Sequence, residues 1–379
     1  MGSVTRRQIL LGGTALAGAG LISAIPSTPF TPSMKLMRSA LGADIAPPDH
    51  VIRAHFNENP YGPSRVAIQS IVESIDLANL YADDPTDIVN LLSEINNVAP
   101  ENVMVGSGSS EVLNVAGLLA GMAGGSVICA DPTYQALVRY AENAGATIIR
   151  VPVKEDLGTD IDAIKRAIRR DTKLVYLANP NNPVPSIIEK NALREFVLEV
   201  AEKRIVYVDE AYHEFVDDPD YASMMDLIAQ GQKNLIVSRT ASKIHGLAGL
   251  RIGFGFAHPD LATQMTQRRT GRLNIIGLKA AHASYQDLEF QDFTIRKTRE
   301  SLAIVEGMCE ELGIRYIKSK ANFTFIETGV DNDIVQARMK EHGIMTGRAF
   351  PPYTHWARIS MAKPDEMRYF VQVYKELFG

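Results

Sequence analysis

Leu235-Ile236-Val237-Ser238-Arg239-Thr240-Ala241-Ser242-Lys243 is the stretch on which the reading of this chain turns. Three apolar residues predict a buried strand, and the lysine stands just past its end among hydroxyls. Gly246 and Gly249 follow, and Arg251 lies eight residues after the lysine. A lysine placed so suits a Schiff base to a phosphorylated aldehyde. The amine attacks the carbonyl while the hydroxyls and the guanidinium hold the phosphate. Taken alone, the same residues also describe a solvated surface lysine, so the neighbouring motifs have to decide.

Outward from this stretch, short β-rich runs alternate with helical ones. Strands are expected at Val103–Val105, Val127–Cys129, Ile148–Val151, Leu174–Leu177, Ile205–Val208, Leu235–Val237 and Ile252–Phe256. Helices are expected from about Glu111, over 135–143, 162–168 and 192–203. That alternation predicts an α/β fold with a mostly parallel sheet between helices. Past about 270 the pattern changes. Helices over 277–287 and 290–312 follow one another, then come Phe323–Ile326, a helix over 332–342, Ala357–Ser360 and a helix from Pro364. This predicts a smaller α+β domain.

Ligands of parallel sheets gather at the carboxyl ends of the strands, and five such ends carry unusual residues. Gly106-Ser107-Gly108-Ser109-Ser110 runs straight into a helix, whose first amides cradle phosphate; an ordinary capped turn is the alternative. Tyr134, in Asp131-Pro132-Thr133-Tyr134, offers a face for a flat ring or simple packing. Asn179-Pro180-Asn181-Asn182-Pro183 is a rigid loop with an amide donor, or only a turn. Asp209, in Asp209-Glu210-Ala211-Tyr212, is a carboxylate at a buried strand end. It needs a partner, either a protonated pyridine nitrogen or a salt bridge or cap. Lys243 is the fifth.

In this order and spacing the motifs resemble the fold-type I pyridoxal-phosphate aminotransferases of class I/II, within them the histidinol-phosphate aminotransferase branch. Phe56-Asn57-Glu58-Asn59-Pro60-Tyr61-Gly62-Pro63-Ser64, Gly246–Gly253 and Arg358-Ile359-Ser360 complete the likeness, which spans about 50–378. The resemblance implies the fold: a large domain with a seven-stranded, mostly parallel sheet and a smaller α+β domain. It implies pyridoxal 5'-phosphate as cofactor and an aminotransferase moving an amino group between an amino acid or amine and a 2-oxo acid. It also implies roles. Lys243 would hold the cofactor and carry the proton, Asp209 would keep the pyridine nitrogen protonated, and Asn182 and Tyr212 would bond the phenolic oxygen. Tyr134 would stack on the ring. Gly108, Ser109, Ser110, Thr240, Ser242 and Arg251 would hold the phosphate, with Tyr81 reaching that of a neighbouring subunit in a homodimer. Arg358, with Asn59 and Tyr61, would bind substrate. Val184-Pro185 stands where the family has Thr-Gly, His245 is unusual two residues after the lysine, and Arg348 sits one position later than the family's second active-site arginine. A lyase, decarboxylase or oxidase would begin from the same joining of substrate to cofactor, and a non-catalytic cofactor carrier is a third class.

Composition is that of an ordinary globular chain. The chain has 379 residues, 46% hydrophobic and 22% charged, with net charge −5 and pI ≈ 6.0. No basic tract points to nucleic acid. Cys129 and Cys309 have no metal-ligand spacing and read as core packing. Thr5-Arg6-Arg7-Gln8-Ile9-Leu10 and the uncharged apolar run 11–25 resemble a twin-arginine export signal. The expected location is therefore periplasmic or exported, and cytoplasmic if 1–25 is only a tail; a retained membrane anchor is the other alternative. No other segment has 18 uncharged apolar residues, so no span is expected in the mature chain. Export also makes a substrate other than histidinol phosphate the expectation. The expected organisation is a signal-like segment over 1–25, a linker, arm and start of the small domain over 26–75, a cofactor-binding domain over 76–275 and a small domain over 276–379.

Overall fold

A computed structural model describes residues 45–82 and 84–379; the signal-like segment and most of the Pro/Ser-rich linker lie outside the described residues. In chain order the strands are β1 (Ile52–Ala54), β2 (Val103–Gly106), β3 (Ser126–Asp131), β4 (Thr147–Pro152), β5 (Thr172–Ala178), β6 (Ile205–Asp209), β7 (Leu235–Thr240), β8 (Gly253–Ala257), β9 (Tyr316–Ile317), β10 (Phe323–Glu327), β11 (Ile344–Thr346) and β12 (Trp356–Ser360).

Seven of them form one sheet in the order β2-β8-β7-β6-β5-β3-β4. Every neighbouring pair is parallel except those made by β8, which runs antiparallel to both β2 and β7. Six strands therefore point their carboxyl ends to the same edge. The central strands read as unbroken apolar runs because helices cover both faces. Val175, Tyr176, Val206, Tyr207, Ile236 and Val237 are all 0% exposed. Each such aliphatic contributes about 1.5–3 kcal/mol relative to exposure.

The C-terminal part holds the antiparallel sheet β12-β10-β9, with the parallel pair β1-β11 beside it. Helices Leu288–Leu312 and Pro364–Phe378 close its core with Leu302, Val305, Val373 and Tyr374. Cys309 is buried in this core and Cys129 in that of the large sheet, both as free thiols.

Strands β1, β9 and β11 were not expected. Each has two or three residues, too few for periodicity to show. Helices Arg65–Glu73, Thr86–Asn96, Met225–Ala229 and Pro259–Thr266 were also missed. The first leaves Val66, Ile68 and Val72 exposed.

Gly253 opens β8 where the Gly108–Ser109 backbone crosses it, and a Cβ there would overlap the Ser109 amide. The phosphate-cradle loop can approach the sheet only because that position is glycine. Gly253→Ala should lower stability by about 1–3 kcal/mol, as overpacking does, read as a lower urea midpoint. An unchanged midpoint would mean that the loop yields freely.

Candidate active site

A cavity of ≈ 350 Å³ opens at the carboxyl edge of the sheet. Its walls bring together Ser109, Ser110, Tyr134, Asn182, Asp209, Tyr212, Thr240, Ser242, Lys243, Arg251 and Arg358, all expected from the sequence.

Lys243 follows β7 and stands half-buried. Its Nζ donates to the Phe56 and Asn57 carbonyls, each at 3.1 Å. Burial, with the Arg358 charge adding to it, holds the amine down at about 8. Asp209 ends β6. Its carboxylate accepts from Ser238 Oγ at 2.9 Å and from Tyr176 at 3.4 Å. Burial still pushes it up to about 6, because two hydrogen bonds offset only part of the desolvation. Tyr212 is buried and its hydroxyl accepts from Asn57 Nδ2 at 3.0 Å and Asn182 Nδ2 at 3.3 Å. Burial raises that phenol to about 12.

The phosphate-type groups form a second set. Helix Ser109–Met122 begins after Gly108, whose φ of +81° suits glycine. Glu111 in its first turn accepts from the Ser107 amide at 2.8 Å and braces the loop. The unpaired amides of such a helix start, with the dipole, favour an anion. Arg251 lies across Gly108, where a Cβ would strike the guanidinium, and it reaches Ser110 Oγ at 3.5 Å. Its own φ is +56°, a left-handed conformation costing on the order of 1–3 kcal/mol at a non-glycine residue. Thr240 Oγ1 accepts from the Ser242 amide at 3.1 Å.

Arg358 on β12 is buried. It donates to Asn182 Oδ1 at 2.6 Å and to the His55 carbonyl, and its Nε lacks a partner among the described residues. Three expected residues lie away from the cavity. Tyr81 is 78% exposed, with the Arg272 guanidinium 5.4 Å from its ring. Asn59 donates to the Ile244 carbonyl at 2.7 Å, and Tyr61 packs edge-on against Phe293 at 4.8 Å. His245 is buried, stacked on Tyr285 at 3.9 Å and bonded to Ser284 at 2.9 Å.

Asn57, Glu58 and Ser238 carry roles that the sequence alone does not announce. Asn57 is a hub. Its φ is +55°, its carbonyl accepts from Lys243, and its backbone N–H donates to Ser360 Oγ at 2.9 Å. An asparagine tolerating the left-handed region was the available signal. Glu58 lines the cavity and accepts twice from Arg53 at 2.8 Å.

The aminotransferase class I and II model matches residues 52–373. The chain belongs to that family. The family comprises pyridoxal-phosphate-dependent aminotransferases, so the cofactor and the seven-stranded fold follow. A histidinol-phosphate aminotransferase of Nitrosococcus oceani is 31% identical over 94% of this chain and 95% of its own. One from Akkermansia muciniphila is 30% identical over 87% and 91%. The solved histidinol-phosphate aminotransferase of Sinorhizobium meliloti, in complex with pyridoxal-5'-phosphate, superposes with a TM-score of 0.78 at 26% identity, covering 95% and 99%.

The donor set fits this cofactor. A buried carboxylate suits a protonated ring nitrogen, a paired phenol and amide suit a ring oxygen, and helix amides with Arg251 suit a phosphate. Loading of cofactor-free protein with pyridoxal phosphate, followed by absorbance, should quicken as pH rises through about 8, because only the neutral Lys243 amine attacks. A rate that falls across that window would contradict the environment described for the lysine.

Proposed function

We propose that the chain is an aminotransferase acting on an L-amino acid and a 2-oxo acid, with Lys243 as the covalent and proton-carrying residue. The single observation that carries this is a half-buried lysine, depressed to about 8, sharing one cavity with the buried Asp209. When bound, pyridoxal phosphate supplies an aldehyde for the amine and a ring that stores the electron pair freed at the substrate carbon. Lys243 supplies the amine, and once released it moves a proton at Nζ. Asp209, oriented by Ser238 and Tyr176, supplies negative charge to hold a ring proton in place. Tyr212 and Asn182 would hold the ring oxygen, and Tyr134, in the same cavity, would pack against the ring. Arg358 offers a planar fork to the α-carboxylate. Its contacts to Asn182 and the His55 carbonyl aim it into the cavity.

Likeness to histidinol-phosphate aminotransferases supports an amine donor near histidinol phosphate, while Arg6-Arg7 before an apolar run supports export and so another donor. The exposed apolar row Val72, Ile75, Leu80 and Tyr81 supports a homodimer in which Tyr81 reaches the partner site.

The holoenzyme, mixed with an amino donor, should lose its aldehyde absorbance, and an added 2-oxo acid should restore it. Irreversible loss, with ammonia or carbon dioxide released, would assign a lyase or decarboxylase instead. Asp209→Asn should keep cofactor bound yet lower turnover on the order of 10²-fold or more. Near-normal turnover would remove that carboxylate from the mechanism.

A further inference from the structure

The Tyr212 hydroxyl receives two hydrogen bonds and, among the described residues, gives none. Asn57 Nδ2 donates to it at 3.0 Å and Asn182 Nδ2 at 3.3 Å. Asn57, Asn182 and Tyr212 are all buried. An amide can turn end for end, and its partners decide which end faces where. Both of these amides are decided by one strand. Arg358 Nη1 lies 2.6 Å from Asn182 Oδ1. A guanidinium only donates, so the Asn182 oxygen must face Arg358 and its NH2 must face Tyr212. Ser360 Oγ accepts from the Asn57 backbone N–H at 2.9 Å and donates to Asn57 Oδ1 at 2.5 Å. Ser360 is 0% exposed, and its Oγ has no other partner among the described residues. Turning the Asn57 amide would leave that hydroxyl proton buried and unpaired, which is unfavourable. Arg358 and Ser360 lie two apart on β12 and so share one face of it.

A phenolic oxygen that holds two donated hydrogens still has one proton of its own to give. Burial raises the Tyr212 phenol to about 12, so that proton is present across the neutral range. The charged groups around Tyr212 do not take it. Arg358 only donates, Lys243 Nζ stands over the ring face at 5.6 Å from its centroid, and Asp209 is bonded to Ser238 and Tyr176. Tyr212 lines the cavity together with Lys243. We propose that Asn57, held by Ser360, is a positioning residue that fixes the direction of the Tyr212 hydroxyl, making it a one-way donor into the cavity, toward the cofactor's ring oxygen. This rests on the reading above that Tyr212 holds that oxygen. A donor aimed there stabilises negative charge on the oxygen. It thereby eases loss of the proton that the oxygen shares with the lysine-bound nitrogen. The small sheet thus sets the protonation of a cofactor held by the large one.

The test is the pH at which the cofactor-loaded protein changes its visible absorbance. It needs no amino donor, so it stands apart from transamination. Tyr212→Phe should raise that pH by about one unit or more, the size of one charge-assisted hydrogen bond. Asn57→Asp keeps the Ser360 contact and tolerates the left-handed backbone. Its second oxygen accepts the Tyr212 proton and turns it away from the ring, so it should also raise the pH by about one unit. The new charge acts directly as well, and the same change is therefore made in Tyr212→Phe. Less than half of the shift should survive there, because the rest passes through the hydroxyl. Should Asn57→Asp fail to fold or to load, Ser360→Ala decides. It frees the amide to turn, and should give a smaller rise that is lost without the Tyr212 hydroxyl. A shift of equal size with and without that hydroxyl, or no shift where Tyr212→Phe responds, overturns the proposal alone. If Tyr212→Phe itself moves nothing, the placing of Tyr212 at the ring oxygen fails, and the proposal with it.

Discussion

The burial of Asp209 is the constraint around which the rest of the site is arranged. A carboxylate set 5% exposed at the end of a central parallel strand is unfavourable unless its surroundings answer it. Ser238 on the neighbouring strand and Tyr176 on the other side each donate to it, yet its value still stands at about 6. The strand order fixes this. Asp209 pairs with Ala178 on one side and Ser238 on the other, so the groups within reach are those the sheet register dictates. The same register sets Lys243 past the end of β7, one strand away.

The second dependence joins the two sheets. Asn57, just beyond β1, binds Lys243 by its carbonyl, Tyr212 by its amide, and Ser360 of β12 through both its backbone amide and its side-chain oxygen. Asn322 closes the same junction by donating to the Asn57 carbonyl at 3.1 Å. Arg358 bridges likewise, from β12 to Asn182 at the end of β5. The cavity is thus a seam, and its geometry depends on packing in both parts of the chain.

Most of this was legible in the sequence because parallel strands put chemistry at one edge. Asp209, Asn182, Thr240 and Lys243 each follow an apolar run, so a strand reading places them together without any alignment. Ser238 was not legible: it is an ordinary residue inside a strand, and only register puts it opposite Asp209. Asn57 lies within a motif, but its left-handed backbone and its bonding across the seam depend on a contact 303 residues away with Ser360. Short strands such as β1 and β11 exist only through each other. Asn59 and Tyr61 show the converse, since a motif fixes neighbourhood along the chain and not the direction of a side chain.

The most direct measurement is borohydride reduction of the cofactor-loaded protein, followed by peptide mass spectrometry. A pyridoxyl group on Lys243, absent from the Lys243→Ala variant, is the predicted result. Label on any other lysine, or undiminished label in the variant, would contradict the account.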